Sequence, residues 1–303
     1  MQIIPLGTAS AIPTRHRHLS SIALMHEGDV LLFDCGEGTQ MRLIHAGVRP
    51  LRIVAIFITH FHGDHFYGLL GLLATMALLK RTAPLTVVGP TGIEDLVTRF
   101  PGLSPSWLPY NVQYVELPET FDQAVVFRHT EFDVEARPLD HREFTAGFRL
   151  TERPRPGKLD VERARTLGLT DPTQYRHLKQ GRSVRAGGRE VQPEEVLGPP
   201  QSGRSFGYVT DTRPCDGARL LARNVDLLYH EATFGLDMAS RAAETGHSTA
   251  AEAATIARDA GASRLLIGHF SARYSDPQPL VEEARRIFPE TEAAEELKSY
   301  SIG

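Results

Sequence analysis

The most constraining feature of the sequence is a continuous apolar run, Ile53–Ile58, that leads directly into a dense group of polar residues. Its β-branched residues are typical of a strand that is buried on both faces. The run is followed by Thr-His-Phe-His-Gly-Asp-His at positions 59–65. Burying three imidazoles and a carboxylate together is unfavourable unless a cation or many hydrogen bonds satisfy them. We therefore predict a buried strand that ends at a metal site.

The spacing within this motif suits two adjacent metal ions. His60 and His62 point the same way along an extended segment, and imidazole nitrogen is a good zinc ligand. Gly63 permits a sharp turn, so that Asp64 and His65 face a second point. Two neighbouring ions can share a water and lower its pKa. The candidates for further ligands are His141, Asp211 and His269. The alternative is a chance grouping among the 13 histidines of the chain.

Strands mixed with helices predict the α/β class. The predicted strands are Gln2–Leu6, Ser21–Leu24, Val30–Phe33, Ile53–Ile58, Leu85–Val88, Val112–Glu116, Val125–His129, Asp133–Arg137, Ser205–Val209, Val225–Tyr229 and Arg264–Ile267. The predicted helices are Tyr67–Lys80, Ile93–Phe100, Thr249–Ala260 with Ser248 as its N-cap, and Pro279–Phe288. Four strands run into the candidate ligands His60, Asp211, His230 and His269. We expect these side chains to converge at one edge of the sheet structure.

The segment Arg153–Gln201 differs from the rest in being basic and rich in Pro and Gly. Residues 153–189 hold ten Lys or Arg and three acidic residues, although the net charge of the whole chain is −4. This asymmetry predicts a projecting basic insertion, with little core of its own, that binds nucleic acid. The alternative is a solvated surface loop.

The remaining composition indicates a cytoplasmic protein that does not cross a membrane. Only two cysteines are present, Cys35 and Cys215, which excludes a disulfide scaffold and fits a reducing compartment. The N-terminus has no signal-peptide pattern, and the longest apolar stretch, Leu69–Leu79, is too short to span a bilayer.

The motif at 59–65 resembles the signature of the metallo-β-lactamase superfamily. This resemblance implies a four-layer αβ/βα sandwich with a dinuclear zinc site at one edge. Over nearly the whole length the chain resembles the short form of the ribonuclease Z family. The motifs that carry this resemblance are Leu6-Gly7-Thr8, Phe33-Asp34-Cys35-Gly36-Glu37, Phe57–His65, Gly207–Pro214, His230-Glu231-Ala232-Thr233, Gly246-His247-Ser248-Thr249 and Gly268–Tyr274.

The resemblance implies a single metallo-β-lactamase-fold domain over residues 1–303, with residues 153–201 as a flexible tRNA-binding arm. It also implies a zinc-dependent endoribonuclease that removes the 3′ trailer from precursor tRNA. The products would be a tRNA with a 3′-hydroxyl and a trailer with a 5′-phosphate. The family further implies a homodimer in which each arm serves the partner's active site.

The resemblance assigns roles to individual residues as well. One zinc ion would be held by His60, His62 and His141, and the other by Asp64, His65 and His269, with Asp211 as the bridge. Manganese or iron can occupy similar His/Asp sites. Asp64 would also act as, or orient, the general base. His247, supported by Glu231, would protonate the departing 3′ oxygen. Without the family, the favoured interpretation of His247 is a residue that precedes the following helix and stabilises it.

The implied tRNA contacts lie in three regions. In the arm they are Arg155, Lys158, Arg176, Lys179 and Arg182. Arg15 and Arg17 lie in the loop Pro13–His18, which takes the place of a family Pro-x-Lys-x-Arg-Asn loop, and Arg273 lies near the C-terminus. Asp171-Pro172 stands where the family arm usually has Gly-Pro. The alternative for Arg15 and Arg17 is an ordinary exposed loop.

Two other functions are compatible with the sequence. The first is a hydrolase of the same fold that acts on a small phosphodiester, thioester or sulfate ester. The second is a non-catalytic RNA-binding module with a structural zinc ion. Structural zinc sites usually have cysteine ligands, so the His/Asp-rich motif favours catalysis.

Overall fold

Two mixed β-sheets of seven strands each carry the fold. The computed structural model of the protein describes residues 1–99 and 108–303, which divide into a larger unit, residues 1–150 and 204–303, and a smaller unit, residues 151–203. The strands of the first sheet are β1 (Gln2–Gly7), β2 (Ser21–His26), β3 (Asp29–Phe33), β4 (Ile53–Phe57), β5 (Leu85–Pro90), β6 (Val112–Leu117) and β16 (Tyr300–Ser301). The strands of the second sheet are β7 (Ala124–Arg128), β8 (Phe132–Pro138), β9 (Ala146–Glu152), β12 (Ser205–Val209), β13 (Leu227–Glu231), β14 (Leu265–Gly268) and β15 (Thr291–Ala293).

The strand order places the parallel strands next to one another in each sheet. The first sheet has the order β16-β1-β2-β3-β4-β5-β6, and β3 to β6 are parallel. The second has the order β15-β14-β13-β12-β9-β8-β7, and β12 to β15 are parallel. The carboxyl ends of parallel neighbours lie at the same edge of a sheet, which is where α/β proteins usually bind ligands.

Aromatic side chains join the two sheets face to face. Phe33 and Phe57 of the first sheet and Phe148 and Phe206 of the second are all fully buried. The ring centroids of Phe57 and Phe148 are 5.3 Å apart, and those of Phe33 and Phe206 are 5.6 Å apart. Burying each ring contributes about 1.5–3 kcal/mol to folding.

Helices cover the outer face of each sheet. The helices of the first half are α1 (Thr39–His45), α2 (Gly63–Phe66), α3 (Leu69–Leu78) and α4 (Ile93–Arg99). Those of the second half are α7 (Asp216–Ala222), α8 (Ala239–Thr245), α9 (Ala250–Ala260) and α10 (Gln278–Arg285). Leucines of α3 pack in one apolar cluster with the first sheet, and alanines of α9 pack in another with the second. The predicted four-layer αβ/βα sandwich is confirmed.

Most predicted elements are present with shifted ends. The predicted strand Val225–Tyr229 is β13, which runs on to include His230 and Glu231. Phe100, the predicted last residue of α4, lies outside the described residues. The N-cap of α9 is Thr249 and not Ser248, because the Thr249 hydroxyl accepts from the Glu252 amide in a capping box. Among the strands of the two seven-stranded sheets, β9, β15 and β16 are absent from the sequence prediction.

Three of the strand ends hold a non-glycine residue with positive φ. Asp34 follows β3 with φ 58°, Asp211 follows β12 at two residues' distance with φ 46°, and His269 follows β14 with φ 57°. Such conformations cost on the order of 1 kcal/mol each and concentrate at functional sites. The backbone therefore turns sharply where these strands end.

The smaller unit is inserted between two neighbouring strands of the second sheet. The chain leaves through β9 and returns through β12, which lie side by side. The elements of this unit are α5 (Val161–Thr166), α6 (Pro172–Lys179), β10 (Val184–Ala186) and β11 (Arg189–Val191). Asp171 is the N-cap of α6, and Pro172 occupies its first turn.

The prediction that the insertion has little core of its own is wrong. Its buried apolar residues form a separate cluster, whose members are Ala164, Leu169, Leu178, Val184, Ala186, Val191 and Val196. The excess of basic over acidic residues is also smaller in the whole insertion than in residues 153–189. Residues 151–203 hold ten Lys or Arg but seven Asp or Glu, because four acidic residues lie outside the basic stretch.

In the described part of the chain, no helix combines the length and the apolar character that a membrane span requires.

Candidate metal and active site

The predicted ligands meet at one edge of the larger unit. Ligand atoms of His60, His62, His141 and Asp211 all lie within 4.8 Å of one another. The ligand atoms of Asp64, His65 and His269 form a second set and also lie within 4.8 Å of one another. All seven residues that the sequence nominated are thus brought together. His60 follows β4, Asp211 follows β12 and His269 follows β14, so strand ends of both sheets supply the cluster.

Asp211 lies between the two sets, with one carboxylate oxygen facing each. Its Oδ1 is 3.3 Å from His65 Nε2 and 3.1 Å from His269 Nε2. Its Oδ2 is 3.6 Å from His60 Nε2 and 3.9 Å from His141 Nε2. Asp211 is 2% exposed, and a buried carboxylate of this kind needs positive partners on both sides.

His65 is surrounded by carboxylates. Its Nδ1 is 2.7 Å from Asp34 Oδ2, and its Nε2 is 3.4 Å from Asp64 Oδ2 and close to Asp211. Burial lowers the pKa of His65, but the charges of Asp211, Asp64 and Asp34 outweigh burial and raise that pKa well above its ordinary value. The surroundings of Nε2 therefore favour a positive charge, which a metal cation also supplies.

The ring nitrogens of His60 and His141 give a second reason why this cluster suits metal ions. In the described part of the chain, the Nε2 atoms of His60 and His141 are buried and have no hydrogen-bond partner. Burial, followed by the charge of His65, lowers the pKa of His60 well below its ordinary value, and burial also lowers the pKa of His141. Both rings are neutral at pH 7, which is the form that coordinates a metal.

In four of the five histidines of the cluster, the other ring nitrogen contacts a protein carboxylate, carbonyl or hydroxyl oxygen. The Nδ1 contacts are His60 with Thr59 Oγ1 at 2.9 Å, His65 with Asp34 Oδ2 at 2.7 Å, His141 with Gly246 O at 2.7 Å and His269 with Thr233 Oγ1 at 2.9 Å. Such contacts fix the ring orientation and direct Nε2 towards the cluster.

The contact of His141 requires glycine at position 246. Gly246 ends α8 in the left-handed conformation with φ 81°. A Cβ atom at this position would lie 2.7 Å from Nδ1 of His141 and 3.3 Å from the amide nitrogen of Arg142. A side chain here would therefore push His141 away from the cluster.

Asp34 is the residue that sequence reasoning missed. Its buried carboxylate accepts from the Thr59 amide at 2.9 Å, from the Thr59 hydroxyl and from the Tyr208 hydroxyl at 2.8 Å, besides contacting His65. Its position directly after β3 was the available signal. Thr233, which contacts both His269 and Glu231, was also missed.

His247 and Glu231 form a buried pair beside the ligand cluster. His247 Nδ1 is 2.9 Å from Glu231 Oε1. Glu231 is 0% exposed and also accepts from the Thr212 amide and the Thr233 hydroxyl. Burial lowers the pKa of His247, but the charge and hydrogen bond of Glu231 outweigh it and raise the pKa of His247 to about 9. His247 is therefore protonated and able to donate at neutral pH.

His230 does not join the cluster. It precedes Glu231 in β13, so the two side chains point to opposite faces of the sheet. Its Nδ1 is 2.7 Å from the Glu231 carbonyl oxygen, and burial lowers its pKa. Of the four residues that were predicted to converge from strand ends, His230 is therefore the one whose side chain is not part of the ligand cluster.

The ligand cluster opens into a pocket of about 350 Å³, whose lining includes His62, Asp64, Asp211 and His247. Asp64 Oδ2 accepts from the Ala11 amide at 2.8 Å. Burial raises the pKa of Asp64, but His65 and hydrogen bonds from His269 and His65 outweigh it, so that this pKa is well below its ordinary value.

The predicted tRNA contacts have different surroundings. Arg15 and Arg273 are exposed, whereas Arg17 is 9% exposed and donates to the main-chain oxygens of Ser271 and Tyr274. All five predicted contacts in the smaller unit are exposed: Arg155, Lys158, Arg176, Lys179 and Arg182. Arg155 also pairs with Glu152 at 3.0 Å.

The fold and the His/Asp cluster define a metallo-β-lactamase-fold protein with a site that can bind metal ions. The crystal structure of the metallo-beta-lactamase fold protein YhfI from Bacillus subtilis is similar to this chain, with a TM-score of 0.68, 18% identity, and coverage of 100% of this chain and 98% of that chain. A family model described as Anti-Pycsar protein Apyc1 matches residues 1–99.

Two further relatives are closer in sequence. Ribonuclease Z of Salinibacter ruber is 54% identical, over 100% of this chain and 94% of that protein. The crystal structure of human tRNase Z, short form, has a TM-score of 0.75 and 31% identity, and each chain is covered completely. The chain belongs to the ribonuclease Z family.

Proposed function

We propose that this protein is a metal-dependent endoribonuclease that removes the 3′ trailer from precursor tRNA. The observation that carries the proposal is Asp211, whose two oxygens each face a separate group of imidazoles in a member of the ribonuclease Z family. The trailer leaves with a 5′-phosphate and the tRNA keeps a 3′-hydroxyl.

The same cluster is proposed to hold two zinc ions, for which manganese or iron can substitute. One ion would be held by His60, His62 and His141, the other by Asp64, His65 and His269, and both by Asp211. When bound, such ions make water nucleophilic at neutral pH and neutralise negative charge on the phosphate.

The chain's own residues supply the proton transfers. Ionised Asp64 orients the attacking water and accepts its proton while the new phosphorus–oxygen bond forms. His247 donates its proton to the 3′ oxygen as the bond between that oxygen and phosphorus breaks. Glu231 keeps His247 charged and fixes its ring orientation, which supports its role as the general acid.

The smaller unit is proposed to be the tRNA-binding arm. The side chains of Arg155, Lys158, Arg176, Lys179 and Arg182 are exposed and suit contacts with phosphates. A-form RNA is recognised mainly by shape and backbone, so such contacts need not read sequence. Arg15 and Arg273 are proposed to contact the substrate near the cut. The buried guanidinium of Arg17 supports a role in shaping that loop.

The direct test is incubation with a precursor tRNA that carries a 3′ trailer. Cleavage should require metal, stop with a chelator and return when zinc is added. Asp64→Ala should lower the rate by roughly 100- to 10,000-fold. Asp216→Ala is the matched control, because Asp216 is an exposed carboxylate of α7 outside the cluster. Product ends that lack a 3′-hydroxyl on the tRNA, or cleavage that persists in Asp64→Ala, would contradict the proposal.

Deleting residues 153–201 separates this function from hydrolysis of a small ester. The deletion should abolish tRNA cleavage and spare a small chromogenic phosphodiester. Equal loss on both substrates would reject the arm assignment.

We also propose a homodimer that works in the cytoplasm. Helices α1 and α3 contact each other, and exposed apolar side chains lie on them and on the residue that caps α3; these are Met41, Ile44, Leu78 and Leu79. Exposed apolar groups of this kind mark interaction surfaces. Two free cysteines fit a reducing compartment. Sedimentation should give a dimer that Ile44→Glu dissociates, whereas Leu220→Glu on α7 should not.

A further inference from the structure

The last turn of α8 leads directly into His247, so the position of this turn sets the position of the ring. Helix α8 ends at Thr245, Gly246 follows it in the left-handed conformation, and His247 is the next residue. The last carbonyl groups of a helix have no partners within that helix. In α8 these groups accept hydrogen bonds from side chains of two other loops, and the proton transfers proposed above leave those contacts without a role.

Three side chains from outside α8 donate to the carbonyl oxygens at its end. The contacts are Arg213 Nε with Ala243 O at 2.8 Å, Arg142 Nε with Glu244 O at 2.9 Å, and His141 Nδ1 with Gly246 O at 2.7 Å. Arg142 makes a second contact with Glu244 O through Nη2. The guanidinium charges also suit the negative end of the helix dipole. The end of α8 is therefore held from outside the helix.

The two loops that supply these side chains are joined to each other. The Asp140 carboxylate accepts from Arg213 Nη1 at 3.2 Å, and the Asp140 carbonyl oxygen accepts from the Arg213 amide at 2.8 Å. The Asp140 amide donates to the Thr212 hydroxyl at 3.0 Å. These loops follow β8 and β12 and carry the predicted metal ligands His141 and Asp211. The end of α8 is thus fixed relative to the ligand cluster.

The residues on both sides of His247 are held by these loops. Gly246 accepts from His141, and on the other side the Ser248 hydroxyl donates to the Thr212 carbonyl oxygen at 2.6 Å. The ring centroids of His141 and His247 are 5.1 Å apart. A general acid must lie within hydrogen-bond reach of the oxygen that it protonates, and a displacement of about 1 Å can lower a rate about 100-fold.

We propose that Arg142 and Arg213 are positioning residues, which hold the end of α8 and so set the distance between His247 and the metal ligands. This proposal rests on the proposed tRNA 3′-processing function, in which His247 protonates the 3′ oxygen that leaves. The alternative for Arg142, which is exposed beside the ligand pocket, is a contact with a phosphate. Guanidinium groups pair with phosphates through two nitrogens. Two nitrogens of Arg142 already contact Glu244 O, which favours the positioning role.

The test uses two precursor tRNAs that differ in one atom, with the full-length, metal-loaded enzyme. One has the ordinary scissile linkage, and the other has sulfur in place of the 3′ oxygen that leaves. Because a thiol is much more acidic than an alcohol, the sulfur leaves without being protonated and the general acid is not needed.

Arg142→Ala and Arg213→Ala should lower kcat on the oxygen substrate about 10- to 100-fold, with little change in KM. On the sulfur substrate both variants should be nearly as active as the wild type. His247→Asn should show the same pattern with a larger loss on oxygen. Adding Arg142→Ala to His247→Asn should cause no further loss on the oxygen substrate, because the residue that Arg142 positions is already absent.

Arg149→Ala is the matched control, because Arg149 makes the same kind of contact at the end of another helix. It donates to the carbonyl oxygens of Leu220 at 3.5 Å and Arg223 at 2.8 Å at the end of α7, which is followed by β13 and not by a proposed catalytic residue. This variant should cleave both substrates at the wild-type rate. Arg142→Lys should recover part of the lost rate, since an ammonium group can still donate to Glu244 O.

Three results would overturn the positioning role and leave the proposed function standing, provided that the wild type cleaves the oxygen substrate at the correct position. The first is an unchanged kcat in Arg142→Ala and Arg213→Ala, including the case of a raised KM and a smaller slope of log affinity against log salt, which identifies a phosphate contact. The second is an equal loss on the oxygen and sulfur substrates. The third is the same loss in Arg149→Ala. If the wild type does not cleave the oxygen substrate, the proposed function and the positioning role fail together.

Discussion

Replacing Glu231 by Gln should lower the pKa of His247 well below its wild-type value of about 9 in the metal-free protein. The raised pKa of His247 depends on Glu231, whose Oε1 is 2.9 Å from Nδ1 of the ring. In Glu231→Gln the charge and charge-assisted hydrogen bond of Glu231 are lost, and burial, which disfavours the protonated ring, is opposed only by the charge of Asp211. A pKa of about 9 against 6.5 corresponds to about 3 kcal/mol of preferential stabilisation of that form. His247 is 13% exposed, so solvent screens this interaction only weakly.

The direction of the pH effect on stability follows from linkage. The pKa of His247 is higher in the folded state than in the unfolded chain, so its contribution is complete below pH 6.5 and is lost as the pH rises through about 9. The free energy of unfolding of the metal-free wild type should fall over this interval by up to about 3 kcal/mol more than that of His247→Asn.

The assay is a histidine side-chain NMR titration of the metal-free protein from about pH 5 to about pH 10. The resonance of His247 is assigned by its loss in His247→Asn. A wild-type midpoint near 6.5, or a midpoint that stays near 9 in Glu231→Gln, would refute the reasoning. Circular dichroism of both variants checks that the fold is retained.

Three further predictions concern the support of the site and fold. Asp34→Asn should weaken metal binding about 10- to 100-fold in a chelator competition assay, because it disturbs the partner of His65 Nδ1; unchanged affinity would contradict this role. Tyr208→Phe removes one hydrogen bond to Asp34 and should lower the free energy of unfolding, measured in urea, by about 1 kcal/mol. An unchanged free energy of unfolding would show that water replaces this hydrogen bond. Thr249→Ala should also cost about 1 kcal/mol, and unchanged stability of this variant would oppose the assignment of the cap.

The ligand cluster was largely predictable because the rule that governs it is local. An apolar parallel strand is recognisable from its β-branched residues, and its carboxyl end must lie at the shared edge. His60, Asp211 and His269 were found in this way. The same rule also selected His230, which does not join the cluster. The end of a strand fixes where a residue lies along the sheet, but side chains alternate between the two faces of the sheet, so neighbouring residues at a strand end face opposite sides. Glu231, one position later, faces the site.

Other features could not be read from local sequence. The role of Asp34 depends on His65, which is far from it in the chain, and on the Tyr208 hydroxyl from the opposite sheet. The buried placement of Arg17 depends on carbonyl groups near the C-terminus. The core of residues 151–203 is built from few small apolar residues among many charges, so no periodic pattern stands out.

Because residues 151–203 leave and rejoin the second sheet at adjacent strands, β9 and β12, their two ends are held by the same part of the scaffold. A segment anchored in this manner can be lengthened, shortened or exchanged without rerouting the chain through the catalytic edge. Evolution, or an engineer, can therefore exchange one continuous stretch of about fifty residues while the chemistry stays where it is, and on the proposed role of this unit such an exchange would change the substrate.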